Sequence, residues 1–327
     1  MTSVKSRENL PWIEKYRPSS LDEVYGQQDV VDTVRRFVQE GKLPHLLFYG
    51  PPGTGKTSMI IALAKEIYGK NYKNMVLELN ASDDRGIDVV RDQIKNFAST
   101  MQIFSKGFKL IILDEADAMT NVAQNALRRV IEKYTKNTRF CILANYAHKL
   151  NPALLSRCTR FRFQPLKELA IHERVLQVIT KENLLVSNEA QVALLKLSQG
   201  DMRKALNVLQ SCSAAVKEGE EISKEMIYDC IGAPHPEDVE TALDIILKEE
   251  YSNAYVAVDK IRKTKGLAIV DMITCFVELL KNYELTNTQL AHILKGFSNI
   301  EYGISKGVTD KIATTAVIGV LKGAFLD

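Results

Sequence analysis

The chain has 327 residues, enough for two or three domains with cores of their own. It is 46% hydrophobic and 25% charged, the balance of an ordinary soluble globular protein. A formal charge of +3 does not by itself demand a nucleic-acid partner, so any basic surface must be local. Five cysteines (Cys141, Cys158, Cys212, Cys230 and Cys275) are scattered without a C-x-x-C pair. That spacing argues against a disulfide scaffold or zinc module and for a reducing compartment. No stretch approaches the roughly 18 apolar residues of a membrane span, and the polar start, Met1–Asn9, is not a secretory signal. No membrane partner is expected.

In chain order, the first strand signal is the apolar run Leu46–Tyr49, and residues 50–57 follow it directly as Gly-Pro-Pro-Gly-Thr-Gly-Lys-Thr. The spacing G-x-x-x-x-G-K-[ST] between a strand and a helix is the P-loop pattern. Gly50, Gly53 and Gly55 allow a tight turn around Pro51, Pro52 and Thr54, so that successive N–H groups point at phosphate oxygens. A helix beginning near Lys56 and running on through Ser58 adds its positive dipole end. Lys56 can reach the β- and γ-phosphates, and the Thr57 hydroxyl can ligate Mg²⁺. ATP and Mg²⁺ are the expected ligands.

Further strand-like runs lie at Met75–Leu79, Lys109–Leu113, Arg139–Ala144 and Arg160–Phe163, interleaved with helix-periodic Ile87–Ala98 and Val122–Tyr134. Strands alternating with helices at this spacing predict βαβ units and a parallel sheet covered on both faces. From about Leu166 the pattern becomes helical, with Val175–Leu184, Asn188–Leu197 and Met202–Val216 and no convincing strand. Pro234 and Pro236 punctuate the chain, and 237–327 is helical again. The expected fold is α/β plus all-α. An ATPase domain occupies 1–165, a small helical lid 166–232 and a helical C-terminal domain 233–327.

Four later segments carry chemistry. The strand Lys109–Leu113 runs into Asp114 and Glu115, which places Asp114 at the carboxyl edge of the sheet, where such folds bind ligands. Asp114 there can hold hydrated Mg²⁺ through water, and Glu115 can orient or deprotonate the attacking water; an acidic helix cap is the plainer alternative. Asn145 closes the next strand and can hydrogen-bond both γ-phosphate and lytic water without adding charge. Ser156-Arg157-Cys158 offers an arginine finger, or else a surface arginine paired with a carboxylate, and Gly200-Asp201-Met202-Arg203 opens a lid helix whose Arg203 can close over the γ-phosphate.

P-loop, Asp-Glu box, Asn145, Ser-Arg-Cys and Gly-Asp-Met-Arg occur in the order of AAA+ ATPases. With Leu10-Pro-Trp-Ile-Glu-Lys-Tyr-Arg-Pro18 and Val24-Tyr-Gly-Gln27, the chain closely resembles the small subunits of replication factor C, the eukaryotic sliding-clamp loader. Tyr146-Ala-His-Lys-Leu150 and Phe104-Ser-Lys-Gly-Phe-Lys109 point to its fungal members. The resemblance is most specific over residues 10–210. It implies a RecA-like P-loop domain, a helical lid and a C-terminal collar in a nuclear heteropentamer that opens a ring-shaped clamp on primer–template DNA. It also implies that Ile13, Arg17 and Tyr25 line the adenine and ribose side of the pocket. Arg157, by the same likeness, acts in trans on ATP held by a neighbouring subunit. Rival readings are a branch-migration helicase, a protein unfoldase, or an ATP-binding scaffold that does not hydrolyse.

Basic residues gather between Arg85 and Lys109. The resemblance puts the start of the Ile87–Ala98 helix beside a central DNA chamber, so Arg85, Gly86, Ile87 and Arg91 are expected to track phosphates without reading bases. A solvated helix face is the alternative. Met101, Ile103 and Phe104 form an apolar cluster suited to a pocket on the clamp, or else to core packing. Arg128, on the helix after the Asp-Glu box, is a candidate relay from DNA to the catalytic carboxylate, although a pair with Glu132 explains it more simply.

Overall fold

The computed structural model describes residues 10–81, 87–99, 107–217 and 219–325. The chain divides into two compact units, Met1–Glu221 and Ile222–Asp327.

In the first unit a single helical turn, Trp12–Lys15, and α1 (Gln28–Gln39) precede β1 (Leu46–Tyr49). Then follow α2 (Lys56–Tyr68), β2 (Val76–Asn80), α3 (Ile87–Ser99), β3 (Lys109–Asp114), α4 (Asn121–Tyr134), β4 (Thr138–Ala144) and β5 (Thr159–Arg162). The five strands form one sheet in the order β2-β3-β4-β1-β5, and every pairing is parallel. Leu46 lies opposite Cys141 on one side and Thr159 on the other.

The period of two along each strand sorts the side chains. Leu46 and Phe48, with Leu110, Ile112, Cys141 and Leu143, pack on one face with Ile60 and Leu63 of α2. Leu47, Ile111, Leu113, Phe140 and Ile142 pack on the other with Leu127 and Ile131 of α4. Both faces are covered, which is why these strands read as continuous apolar runs rather than alternating ones. All five strands point the same way, so their carboxyl ends share one edge, and that edge holds the site.

The lid helices of the first unit are α5 (Glu168–Lys181), α6 (Asn188–Ser198) and α7 (Met202–Ala215). Helix α5 starts well before the expected Val175. Its buried stripe is Ile171, Arg174, Val175 and Val178, and the arginine hides the periodicity from a purely apolar count. Contrary to the expectation of no strand after Leu166, two-residue strands occur at Leu185–Val186 and Glu221–Ile222. Two residues are too few to show a period.

The second unit is helical: α8 (Lys224–Ile231), α9 (Pro236–Lys248), α10 (Tyr251–Lys265), α11 (Ile269–Leu280), α12 (Asn287–Ser305) and α13 (Asp310–Phe325). Its core joins Leu243 and Ile246 of α9, Phe276 of α11, Phe297 of α12 and Ile318 of α13. Pro236 opens α9 at a position where its missing N–H is not needed. Thr286 and Gln289 cap α12 reciprocally.

Candidate nucleotide site

The loop between β1 and α2 is shaped by glycine. Gly53 adopts φ +68, and a Cβ there would lie 1.6 Å from Asp201 Oδ1. Only a hydrogen lets the loop reach the lid this closely, and Met202 N donates to Gly53 O at 3.2 Å across the same junction. Gly55, at φ +94, turns the backbone into α2.

Lys56, the first residue of α2, is buried, and its ammonium uses all three donors. They go to Gly50 O at 2.7 Å, Pro51 O at 2.8 Å and Asn145 Oδ1 at 3.1 Å. Its pKa is pushed down to about 8, chiefly by burial and next by Arg203, while Asp114, Asp117 and Asp201 pull it the other way. The Thr57 hydroxyl donates to Asp114 Oδ2 at 2.8 Å. Thr54 Oγ1 donates to Pro51 O at 2.9 Å and braces the loop from within.

Asp114 ends β3 and Asn145 follows β4, so the first turn of α2 is tied to the tips of β3 and β4. Glu115 comes next with φ 54 and ψ 37, a left-handed backbone that few non-glycine residues adopt. Its N–H donates to Asp114 Oδ1 at 2.9 Å. The turn carries exposed Glu115 out of the strand, so two adjacent carboxylates have separate tasks available to them. Asp117 Oδ2 accepts from Tyr146 N at 3.2 Å and holds the β3 and β4 loops together.

Beside the loop an open cleft is lined by Ile13, Arg17, Tyr25, Gly53, Thr54, Gly55, Thr57, Ser58 and Arg203. The expected adenine-side residues and the lid arginine thus meet the phosphate loop in one cavity. Asp201 caps α7 by accepting from Arg203 N at 2.8 Å and Lys204 N at 3.2 Å.

Arg157 is elsewhere. It does not line the cleft; its Nη2 donates to Glu132 Oε1 of α4 and its Nη1 to the Ala153 carbonyl. Ile87 and Arg91 lie on α3, in the part whose side chains are outside the described residues, as are Arg85, Gly86, Met101, Ile103 and Phe104 altogether.

Residues 46–166 match the ATPase family associated with various cellular activities (AAA), and residues 234–320 match the replication factor C C-terminal domain. Replication factor C subunit 3 of Saccharomyces cerevisiae is 64% identical over 327 residues, covering 99% of this chain and 96% of that one. The chain belongs to the replication factor C family. Subunit 3 of Schizosaccharomyces pombe is 52% identical, covering 97% of this chain and 92% of its own length. Human replication factor C subunit 5 is 48% identical, covering 96% and 92%. Among solved structures, the RuvB Holliday junction branch migration motor of Thermotoga maritima superposes with a TM-score of 0.53 at 16% identity. It covers 77% of this chain and 86% of that one. At that identity the likeness is of fold alone: a RecA-like AAA core. This replication factor C chain is an ATP hydrolase.

The sequence reading missed Arg174. It is buried on α5, donates to Tyr16 O and to Gln177 Oε1 at 2.9 Å, and lies 5.7 Å from the Tyr25 ring centroid. Gln177 Nε2 in turn donates to Tyr25 OH at 2.6 Å. Arg174 therefore joins α5 to the segment that carries Tyr16 and Tyr25. A charged residue at a core position of an amphipathic helix was the only signal available. In the described residues no helix is long and apolar enough to cross a membrane.

Proposed function

We propose that this replication factor C subunit binds ATP between the phosphate loop and the lid, and hydrolyses it with an arginine supplied by another subunit. It is an ATPase subunit of a clamp loader that works with a sliding clamp and primer–template DNA. The observation that carries the site assignment is the convergence of Lys56, Thr57, Asp114 and Asn145 at one sheet edge through direct hydrogen bonds. Lys56 releases its loop carbonyls and holds β- and γ-phosphate oxygens; Asn145 orients the γ-phosphate and the attacking water; Glu115 accepts the water's proton. The donor set suits Mg²⁺, because Thr57 Oγ1 and Asp114 Oδ2 are hard oxygens only 2.8 Å apart. Thr57 and Asp114 would hold the ion, which would supply positive charge to offset that of the phosphates. Arg203 covers the γ-phosphate from the same chain, and Arg157 serves the nucleotide of a neighbour.

The same reading has residues 1–165 as the ATPase domain, 166–232 as the lid and 233–327 as the collar of a heteropentamer acting in the nucleus. Arg85, Gly86, Ile87 and Arg91 track the DNA backbone, and Met101, Ile103 and Phe104 anchor the clamp. The intact Glu115 and Asn145 oppose a scaffold that never hydrolyses, and the identity to replication factor C opposes a hexameric helicase or unfoldase. The test is Glu115→Gln in the assembled complex with other phosphate loops disabled. ATP should remain bound while turnover falls by about 10²- to 10⁴-fold; normal turnover would refute the role.

A further inference from the structure

Glu132 of α4 stands between two arginines. Its Oε1 accepts from Arg157 Nη2, and the same oxygen lies 4.0 Å from Arg128 Nε, one helical turn back. Arg128 Nε is buried and, among the described residues, has no hydrogen-bond partner. One carboxylate oxygen thus makes a solvent-exposed bond to Arg157, whose side chain is 33% exposed against 36% for Arg128, and leaves the buried Arg128 Nε waiting. That distribution is opposite to what burial alone favours, since an unmade bond costs most where water cannot replace it.

We propose that Glu132 is a positioning carboxylate that holds Arg157 on its own subunit and exchanges it for Arg128 when Arg157 engages a neighbour's nucleotide. The inference rests on the reading of Arg157 as a finger acting in trans. Three donors of Arg157 are engaged at home: Nη2 on Glu132, and Nη1 on Ala153 O and, at 3.3 Å, on Ser156 Oγ. For the guanidinium to meet a phosphate across an interface, the Glu132 bond is the ionic contact that must break. Arg128 Nε offers a replacement without movement of the helix, because a rotamer change of Glu132 closes the 4.0 Å gap. The freed carboxylate is then paired, and a buried donor gains its partner. Arg128 and Glu132 lie on α4, one helix after the Asp114–Glu115 box, so the exchange sits between the catalytic strand of this subunit and the finger it offers to the next.

The experiment uses the assembled complex with every phosphate loop disabled except the one that Arg157 faces. ATP turnover is measured with and without primer–template DNA. Arg157→Ala comes first: if it leaves turnover unchanged, the trans reading itself fails. If Arg157→Ala suppresses turnover, Glu132→Gln should raise the DNA-free rate by roughly three- to tenfold and lower the ratio of DNA-stimulated to free rate, as the finger is no longer held back. Added to Arg157→Ala, Glu132→Gln should produce no rise. Arg128→Ala, which removes the alternative partner, should depress the DNA-stimulated rate, and Glu132→Gln should restore it. An unchanged or reduced DNA-free rate in Glu132→Gln, with Arg157→Ala still silencing the site, overturns the proposal and makes Glu132 a simple buttress. Glu132→Gln preserves side-chain shape, and size-exclusion of the complex checks that assembly is intact.

Discussion

Lys56 and Arg157 are both cations suited to phosphate, yet they are held in opposite ways. Lys56 is buried with three partners drawn from its own loop and from the tip of β4. Arg157 is half exposed on a surface away from the cleft, held by Glu132 and by the backbone of its own helical turn. The first is preorganised by the parallel sheet, which brings strand ends together whatever else the chain does. On the proposed reading the second meets a phosphate only when another subunit arrives, so that half of the chemistry belongs to the fold and half to assembly.

The largest expected break in this comparison comes from Arg157→Ala. Turnover at the neighbouring subunit's site should fall by about 10³- to 10⁵-fold, the usual contribution of an arginine finger, when single-site rates are measured in the complex. Next is Gly53→Ala, which strikes the preorganised half. Its Cβ would lie 1.6 Å from Asp201 Oδ1, so either the loop or the cap of α7 must shift. ATP affinity measured by calorimetry should weaken on the order of a hundredfold, a few kcal/mol of lost fit and strain. Arg174→Ala removes the link between α5 and the Tyr16–Tyr25 wall and should weaken ATP binding by roughly tenfold, with a smaller effect on the rate once ATP is bound.

The smallest effect is a proton. Burial holds Lys56 at about 8, below its ordinary 10.5, so in the nucleotide-free protein it is partly neutral above that pH. A lowered lysine pKa disfavours the charged folded form. Stability from this group is therefore least below about pH 8 and rises from there towards 10.5, where the unfolded chain also loses its proton. Triphosphate binding favours the ammonium, so ATP binding at pH 8.5 should take up a fraction of a proton. Calorimetry in buffers of different ionisation enthalpy reads that uptake, and Lys56→Arg should abolish it. No uptake in the native protein would mean that Lys56 is fully charged before ATP arrives.

Much of the preorganised half was legible in the sequence. The phosphate loop, Asp114, Glu115 and Asn145 each follow an apolar strand, and a parallel sheet leaves little freedom in where strand ends go. Arg203 was legible because Gly200-Asp201-Met202-Arg203 stands at the start of a helix-periodic stretch. What escaped was long-range pairing between unlike segments. Arg174 reads as an ordinary charged helix residue until α5 is laid against Tyr16 and Tyr25. Glu132 reads as an i,i+4 partner of Arg128, and only the fold brings Arg157 to the same oxygen from twenty-five residues away in sequence. The two-residue strands and the early start of α5 escaped for a simpler reason: neither leaves a clean apolar period.

On the proposed reading this chain serves two sites, one with Glu115 and another with Arg157. The most direct measurement compares two complexes, one in which this chain's phosphate loop alone is competent and one in which the neighbour's alone is competent. Glu115→Gln should stop turnover in the first, and Arg157→Ala should stop it in the second. Loss of turnover in the first complex on Arg157→Ala, with the second unaffected, would mean that Arg157 acts on the nucleotide of its own chain.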